Sequence, residues 1–173
     1  MKVITGKVRF SYANVWEPKS INGGDPKYSV SLIIPKADKV TINKVKEAIE
    51  SAKKEGISKL GGSIPDNLKM PLRDGDVDRA EEEAYKDSYF INANSSTKPG
   101  IVDKNVQTIT DKSEFYSGCY GRASITFYAY NVDGNKGIAC GLENLQKLED
   151  GEALGGHSRA EDDFDAAADN FLD

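Results

Sequence analysis

"GRASITFYAYNVDG", residues 121–134, alternates with a period of two along most of its length. Ala123, Ile125, Phe127 and Ala129 fall on one side, and Arg122, Ser124, Thr126, Tyr128 and Tyr130 on the other. An extended chain turns successive side chains to opposite faces, so the pattern describes a strand with one face in a core and one in solvent. The stretch runs into "DGNKG" (Asp133–Gly137), which has the turn residues of a hairpin. A return strand is expected to begin at Ile138 and run toward Leu142.

The same period appears at the start of the chain. Over residues 2–16, Ile4, Val8, Phe10 and Tyr12 share one face, and Thr5, Lys7, Arg9 and Ser11 the other. This is long for one strand, and Gly6 is a place to bend or bulge. "INGGDP" (Ile21–Pro26) is a turn cluster. A second strand over Tyr28–Pro35 puts Tyr28, Val30, Leu32 and Ile34 on one side.

The period then changes. Ile42, Val45, Ile49 and Ala52 recur at spacings of three and four, the stripe of an amphipathic helix. Asp38 or Thr41 can cap its start and Gly56 its end. Residues 61–87 are polar and broken by Gly and Pro, which predicts a long loop with a helical turn through Ala80–Tyr85. Tyr89–Ile91 reads as a short strand and Pro99–Gly100 as a turn. A bent first strand, a helix inserted midway and a closing hairpin predict a mainly β fold. The expected architecture is a small Greek-key barrel of the OB type.

Charge divides the chain unevenly. The whole carries 23 Lys and Arg against 28 Asp and Glu, a net of −5. Residues 149–173 hold nine acids and one base, a net of −8, which leaves +3 on residues 1–148. The expected organisation is therefore a body over 1–148 and a flexible acidic tail over 149–173. The asymmetry points the body toward a polyanion. No run of about 18 apolar residues occurs, so no membrane partner is expected. Met1–Thr5 leads directly into a strand and lacks the apolar stretch of a signal peptide. Cys119 and Cys140 lie far apart in strand-like sequence, as two buried thiols or, alternatively, a disulfide.

Catalytic chemistry is poorly supplied. The one histidine, His157, lies in the tail, so the body can assemble neither a histidine triad nor a histidine zinc site. "DGDVDRAEEE" (Asp74–Glu83) has the first three ligand spacings of a calcium loop. Its sixth position is Arg79 where glycine is needed, and its twelfth is Tyr85 where a bidentate Glu is needed. The same acids could instead form a carboxylate cluster for magnesium, which makes a metal-dependent nuclease one alternative. A protein-interaction module that never touches DNA is another. No catalytic residue, metal ligand or cofactor is assigned.

Single-strand binding is better supplied, because it needs cations for the backbone and aromatic faces for unpaired bases. Arg122, Tyr128 and Tyr130 share the outward face of the 121–134 strand, and Tyr116 and Tyr120 extend it on the same parity. Lys7 and Arg9 share the polar face of the first strand. Lys136, in the hairpin turn, completes the candidate DNA-binding set. Trp16 could also stack a base, or be a rim or core residue. In the tail, "AEDDFDAAADNFLD" (Ala160–Asp173) sets aromatic residues among acids. Its acids can mimic phosphates and its phenylalanines stacked bases. Tethered to a basic groove by a short flexible linker, such a segment competes at roughly millimolar effective concentration.

Several stretches, taken in order, resemble a known family. They are "TGKVRFSYANVWEPK" (5–19), "KYSVSLIIPK" (27–36), "PLRDGD" (71–76), "YSGCYGRASITFYAYN" (116–131) and "GNKGIACGLENLQKLEDGE" (134–152), followed by the acidic end. Together they are similar to the phage single-stranded DNA-binding proteins. The resemblance implies an OB fold, a role in phage replication and recombination, and the cytoplasm of an infected bacterium. It implies no enzyme activity. It also implies that the tail recruits replication proteins such as a polymerase, helicase or primase. That role falls on Asp162, Asp163, Phe164, Asp165, Phe171 and Leu172. The chain finishes Phe171-Leu172-Asp173, which departs from tails whose aromatic is the final residue. A monomer or weak dimer is expected.

Overall fold

In a computed structural model, which describes residues 1–20 and 23–154, the first alternating stretch is two strands. β1 spans Lys2–Ile4 and β2 spans Val8–Lys19. The break falls at Gly6, which lies so close to the helix start that a larger residue would push aside the Asp38 cap. A side-chain carbon there would lie 2.7 Å from Asp38 Oδ2. The Gly6 N–H instead donates to Thr41 Oγ1 at 2.9 Å.

The two pieces do not keep one parity. Val3 and Thr5 are buried and Ile4 is exposed, whereas Val8 and Phe10 are buried in β2. A bulge between Ser11 and Asn14 then changes the phase again, with Tyr12 at φ 47°. Ile4 and Tyr12, expected on the core face, are thus both turned out, and Val15 enters the core instead. An inserted residue reverses every side chain beyond it, and alternation in the sequence does not reveal the insertion.

β3 spans Lys27–Pro35 and α1 spans Lys39–Glu55. The expected stripe of α1 is buried whole, and Asp38 Oδ1 caps it by accepting from the Thr41 N–H at 3.1 Å. The 61–87 segment holds β4 (Leu72–Asp74), one turn of helix, α2 (Gly75–Asp78), and a 3-10 turn (Glu83–Tyr85). The helical turn expected over Ala80–Tyr85 is therefore split. The first part starts early because the Asp74 carboxylate caps it through the Asp76 N–H. β5 spans Ser88–Ser95 and β6 Gly100–Val102.

β7 spans Tyr120–Val132 and β8 spans Asn135–Glu149. Asp133 (φ 52°) and Gly134 (φ 86°) form the two-residue turn between them, both left-handed as such a hairpin requires. The return strand is far longer than the expected Ile138–Leu142. Its mixed composition beyond Leu142 hides a bulge opposite Ser124 and Ile125 that keeps the pairing going to Glu149. The border expected between residues 148 and 149 falls inside this strand.

The pairing order β7-β2-β3-β5-β8 returns to β7 through the hairpin, which closes a five-stranded barrel. The seam is parallel, between β5 and β8, and every other pair around the ring is antiparallel. This is the Greek-key barrel of the OB type. Phe10, Leu32, Ile91, Ile125, Phe127 and Cys140 fill it, and α1 packs on β7, with Gly56 against Ala129. Cys119 and Cys140 are both buried free thiols, and burial raises both pKa values. A second, smaller apolar cluster lies on the outside, where Tyr85 packs on Ile33 and Phe90. Among the described residues no helix is long and apolar enough to cross a membrane.

Candidate nucleic-acid interface

The outer face of β7 is as expected. From Tyr120 to Tyr130 every even-numbered residue is at least partly exposed, and every odd-numbered one is buried. Ten residues of strand place these two tyrosines about 33 Å apart along the barrel. Tyr128 is 44% exposed. Tyr128 and Tyr130 stand opposite Ala139 and Gly137 of β8, and the next outward residue of β8 is Gly141. These small residues leave the two rings with a shallow floor rather than flanking side chains.

The face continues around the barrel. Register aligns Ser11, Ser31 and Asn92 across β2, β3 and β5. A second row joins Asn14, Ser29, Asn94, Gly141 and Thr126, from β2 to β7. Hydroxyl and amide side chains thus lead from one side toward the tyrosines of the other, with Ser11 and Ser31 buried and Gly141 as a gap between Asn94 and Thr126. The 75–87 segment lies over a third row, Arg9, Ile33 and Phe90. Tyr85 donates from its hydroxyl to Ser31 Oγ at 2.9 Å and stands edge-on to Phe90.

At one end of that covered row is a basic notch. Arg9 of β2 is paired with Tyr120 of β7, and both Lys7 Nζ and the Arg9 guanidinium lie over the Tyr120 ring, at 5.3 and 5.2 Å from its centre. The notch is a cavity of about 350 Å³ that also touches Ile33, Glu83, Ala84 and Ser88, so one carboxylate faces the two cations. Lys7 is paired with Glu149 at 2.6 Å. Arg9 donates from Nε to the Gly118 carbonyl at 3.1 Å. Arg122 is exposed on the same strand face as Tyr120 and donates from Nε to the Thr5 carbonyl at 3.0 Å.

Two expected residues lie elsewhere. Tyr116 precedes β7, and Gly118 at φ 118° turns the chain between them, so parity does not carry back to it. Its ring packs on the core, and its hydroxyl meets Asp150 Oδ1 at 2.9 Å and the Gly151 carbonyl at 3.0 Å. Burial raises its pKa first, and Asp150 adds to the rise. Lys136 pairs with Asn131, on the side of β7–β8 opposite the tyrosines, and donates to the Leu60 carbonyl at 2.9 Å. Trp16 is half-buried against the core, with its indole N–H donating to the Phe115 carbonyl at 3.0 Å.

One part of the face is not visible in the periodicity. Tyr12, turned out by the bulge, is 53% exposed and borders a cavity of about 610 Å³ with Asn14, Ser29, Arg79, Asn92 and Asn94. Its hydroxyl donates to Glu82 Oε1 at 2.6 Å, and this bond to a carboxylate is the main cause of its raised pKa. The only sequence signal for the cavity is the run of Asn and Ser on alternate positions of β3 and β5.

Four of the acids of 74–83, Asp74, Asp76, Asp78 and Glu82, are engaged in structure. Lys36 Nζ pairs with Asp74 at 2.9 Å and Asp76 at 2.8 Å, and Arg73 pairs with Asp78 at 3.0 Å. The Lys36 contact is the main cause of the lowered pKa of Asp76. Among the described residues no group of three His, Cys, Asp or Glu is arranged to hold a metal ion.

The start of the expected tail is fixed to the body. Lys147 of β8 pairs with Asp150 at 2.6 Å, Arg9 Nη2 donates to the Glu152 carbonyl at 2.7 Å, and the Leu154 N–H donates to the Ser117 carbonyl at 2.9 Å. Residues 155–173, with His157, Asp162, Asp163, Phe164, Asp165, Phe171 and Leu172, lie outside the described residues.

Comparison with known proteins places this barrel. Protein p50 of Acyrthosiphon pisum secondary endosymbiont phage 1 is 32% identical over 174 residues, covering 95% of this chain and 93% of that protein. A solved structure of the single-stranded DNA-binding protein from bacteriophage Enc34 in complex with ssDNA superposes with a TM-score of 0.77 at 25% identity, covering 89% of each chain. The bacteriophage T7 single-stranded DNA-binding protein gp2.5 shares the fold, with a TM-score of 0.62 at 16% identity over 98% of this chain and 96% of that one. The profile of the family described as "Enterobacter phage Enc34, ssDNA-binding protein" matches residues 1–172, and the chain belongs to that phage single-stranded DNA-binding protein family.

Proposed function

We propose that this protein binds single-stranded DNA across the outer face of its barrel and holds exposed strands unpaired during phage replication or recombination. The observation that carries the reading is the outer face of β7. Tyr120, Arg122, Tyr128 and Tyr130 all project from the side opposite the core, with Lys7 and Arg9 gathered at Tyr120. Cations take phosphates, and tyrosine rings stack bases without regard to sequence. The complex of the Enc34 relative with ssDNA supports it. The protein acts by occupancy and carries out no chemistry on the strand. It works in the cytoplasm of the infected host, as a monomer or weak dimer.

The acidic tail competes with DNA for the basic notch and recruits replication proteins once displaced. Support comes from where the described chain ends. Residues 150–154 lie against Arg9, Tyr116 and Ser117, so the tail leaves the body beside Lys7, Arg9 and Tyr120. Titration of fluorescent single-stranded and duplex oligonucleotides at two salt concentrations tests the central reading. Salt-sensitive binding that favours the single strand is expected. Equal affinity for both forms, or none, overturns it.

A further inference from the structure

We propose that the cavity beside Tyr12 receives one nucleotide of the bound strand, with its base edge-on to Asn92 and Asn94 and a phosphate between Lys19 and Lys27. The inference rests on the single-strand reading and deepens it. At about 610 Å³ the cavity is within the range of about 300–1,000 Å³ typical of small-molecule sites.

Three features of the cavity match the parts of a nucleotide. The first is the ring of Tyr12. The bulge at φ 47° aims it outward, and Glu82 holds its hydroxyl at 2.6 Å. The Arg79 guanidinium lies over it, 5.6 Å from the ring centre. A ring fixed at its tip and backed by a cation is a pre-ordered stacking surface.

The second is the pair of amides. Asn92 and Asn94 point from β5 to the outside, and neither side chain hydrogen-bonds another described residue. Asn14, by contrast, is spent on the Tyr12 carbonyl and Ser29 Oγ. A carboxamide offers a donor and an acceptor side by side and can flip by half a turn. Every base carries such a pair on its Watson–Crick edge, so this reader accepts all four.

The third is a cross-strand pair of like charges. Lys19 and Lys27 stand directly opposite each other in the β2–β3 register, at the mouth of the cavity, and neither is ion-paired with a described residue. Like charges placed so repel and weaken a sheet. An anion between them removes the repulsion. Asp25 lines the same cavity but is ion-paired with neither lysine, and the strand's own phosphate fills that place.

The test compares oligo(dT) with an oligomer of the 2,4-difluorotoluene deoxynucleoside, which has the shape and stacking of thymidine but hardly hydrogen-bonds. The wild type is expected to bind oligo(dT) about tenfold more tightly than the mimic, the worth of one to two neutral hydrogen bonds. Asn92→Ala with Asn94→Ala should bind both alike at an unchanged melting temperature. If the alanines unfold the strand, the leucine pair, near in size and apolar, replaces them. Lys27→Gln should lower the slope of log affinity on log salt by about 0.7, the loss of one phosphate contact. A wild type that does not bind oligo(dT) at all overturns the single-strand reading itself. A wild type that binds both oligomers equally, an asparagine variant that still discriminates, or an unchanged slope in Lys27→Gln overturns the pocket alone.

Discussion

The Arg9 guanidinium donates to the backbone carbonyl of Glu152 at 2.7 Å, across 143 positions of chain. Arg9 is therefore both a wall of the basic notch and the anchor of the segment that leads into the acidic tail. The root of the tail and the cations it is proposed to cover are one assembly.

Removing residues 155–173 leaves that anchor and takes away most of the tail's acids. The shortened protein should bind single strands several-fold more tightly at low salt, with the gain shrinking as salt screens the tail. Fluorescence anisotropy over a salt series measures it. Unchanged affinity removes the competitor role. A replication partner captured equally well by the shortened protein, or by full-length Phe164→Ala with Phe171→Ala, removes the recruiting role.

The notch should act through charge. If about four phosphates are neutralised, log affinity should fall on log salt with a slope near −3, from roughly −0.7 per single-strand contact. Arg9→Ala should bring the slope toward about −2.1. A slope near zero in the wild type excludes phosphate contacts as the source of affinity.

The tyrosines should act through stacking. Tyr128→Ala and Tyr130→Ala should each weaken binding by about 1–3 kcal/mol, with folding nearly intact. Tyr130 should show the larger stability cost, because its ring lies on Gly137 and is less exposed. Circular dichroism melts beside the binding curves separate the two effects. Unfolding by either change places that ring in the structure rather than the interface.

The buried side of the same strand should behave oppositely. Phe127 is 5% exposed and belongs to the barrel core, so Phe127→Ala should cost about 3–5 kcal/mol of stability. Chemical denaturation measures it. A loss of DNA affinity with no change in stability would reverse the faces of β7.

Much of the barrel was legible in the sequence because its governing elements are uninterrupted. β7 alternates without a fault, the α1 stripe is complete, and Asp133–Gly134 admits one tight turn. Legibility failed where an extra residue reverses parity. The bulge at Tyr12 moved a ring from the expected core to the surface, and the turn at Gly118 removed Tyr116 from the face of β7. Lys136 was misplaced for a related reason, since its face is decided by pairing with Asn131 and not by its nearness to the turn. The cavity beside Tyr12 was illegible because three strands and the 75–87 segment contribute to it, and no local pattern records their meeting.

The parallel seam has a consequence for synthesis. Among the described residues β8 is the last strand made, and it is the one that joins β5 to β7. Until it emerges from the ribosome, the long edge of β7 and the Ala93–Asn94 part of β5 beyond its pairing with β4 stand unpaired, and a chain halted before Asn135 keeps them so indefinitely. Open edges pair with other chains. A premature stop in the hairpin should therefore give an adhesive, aggregating fragment rather than a weaker binder.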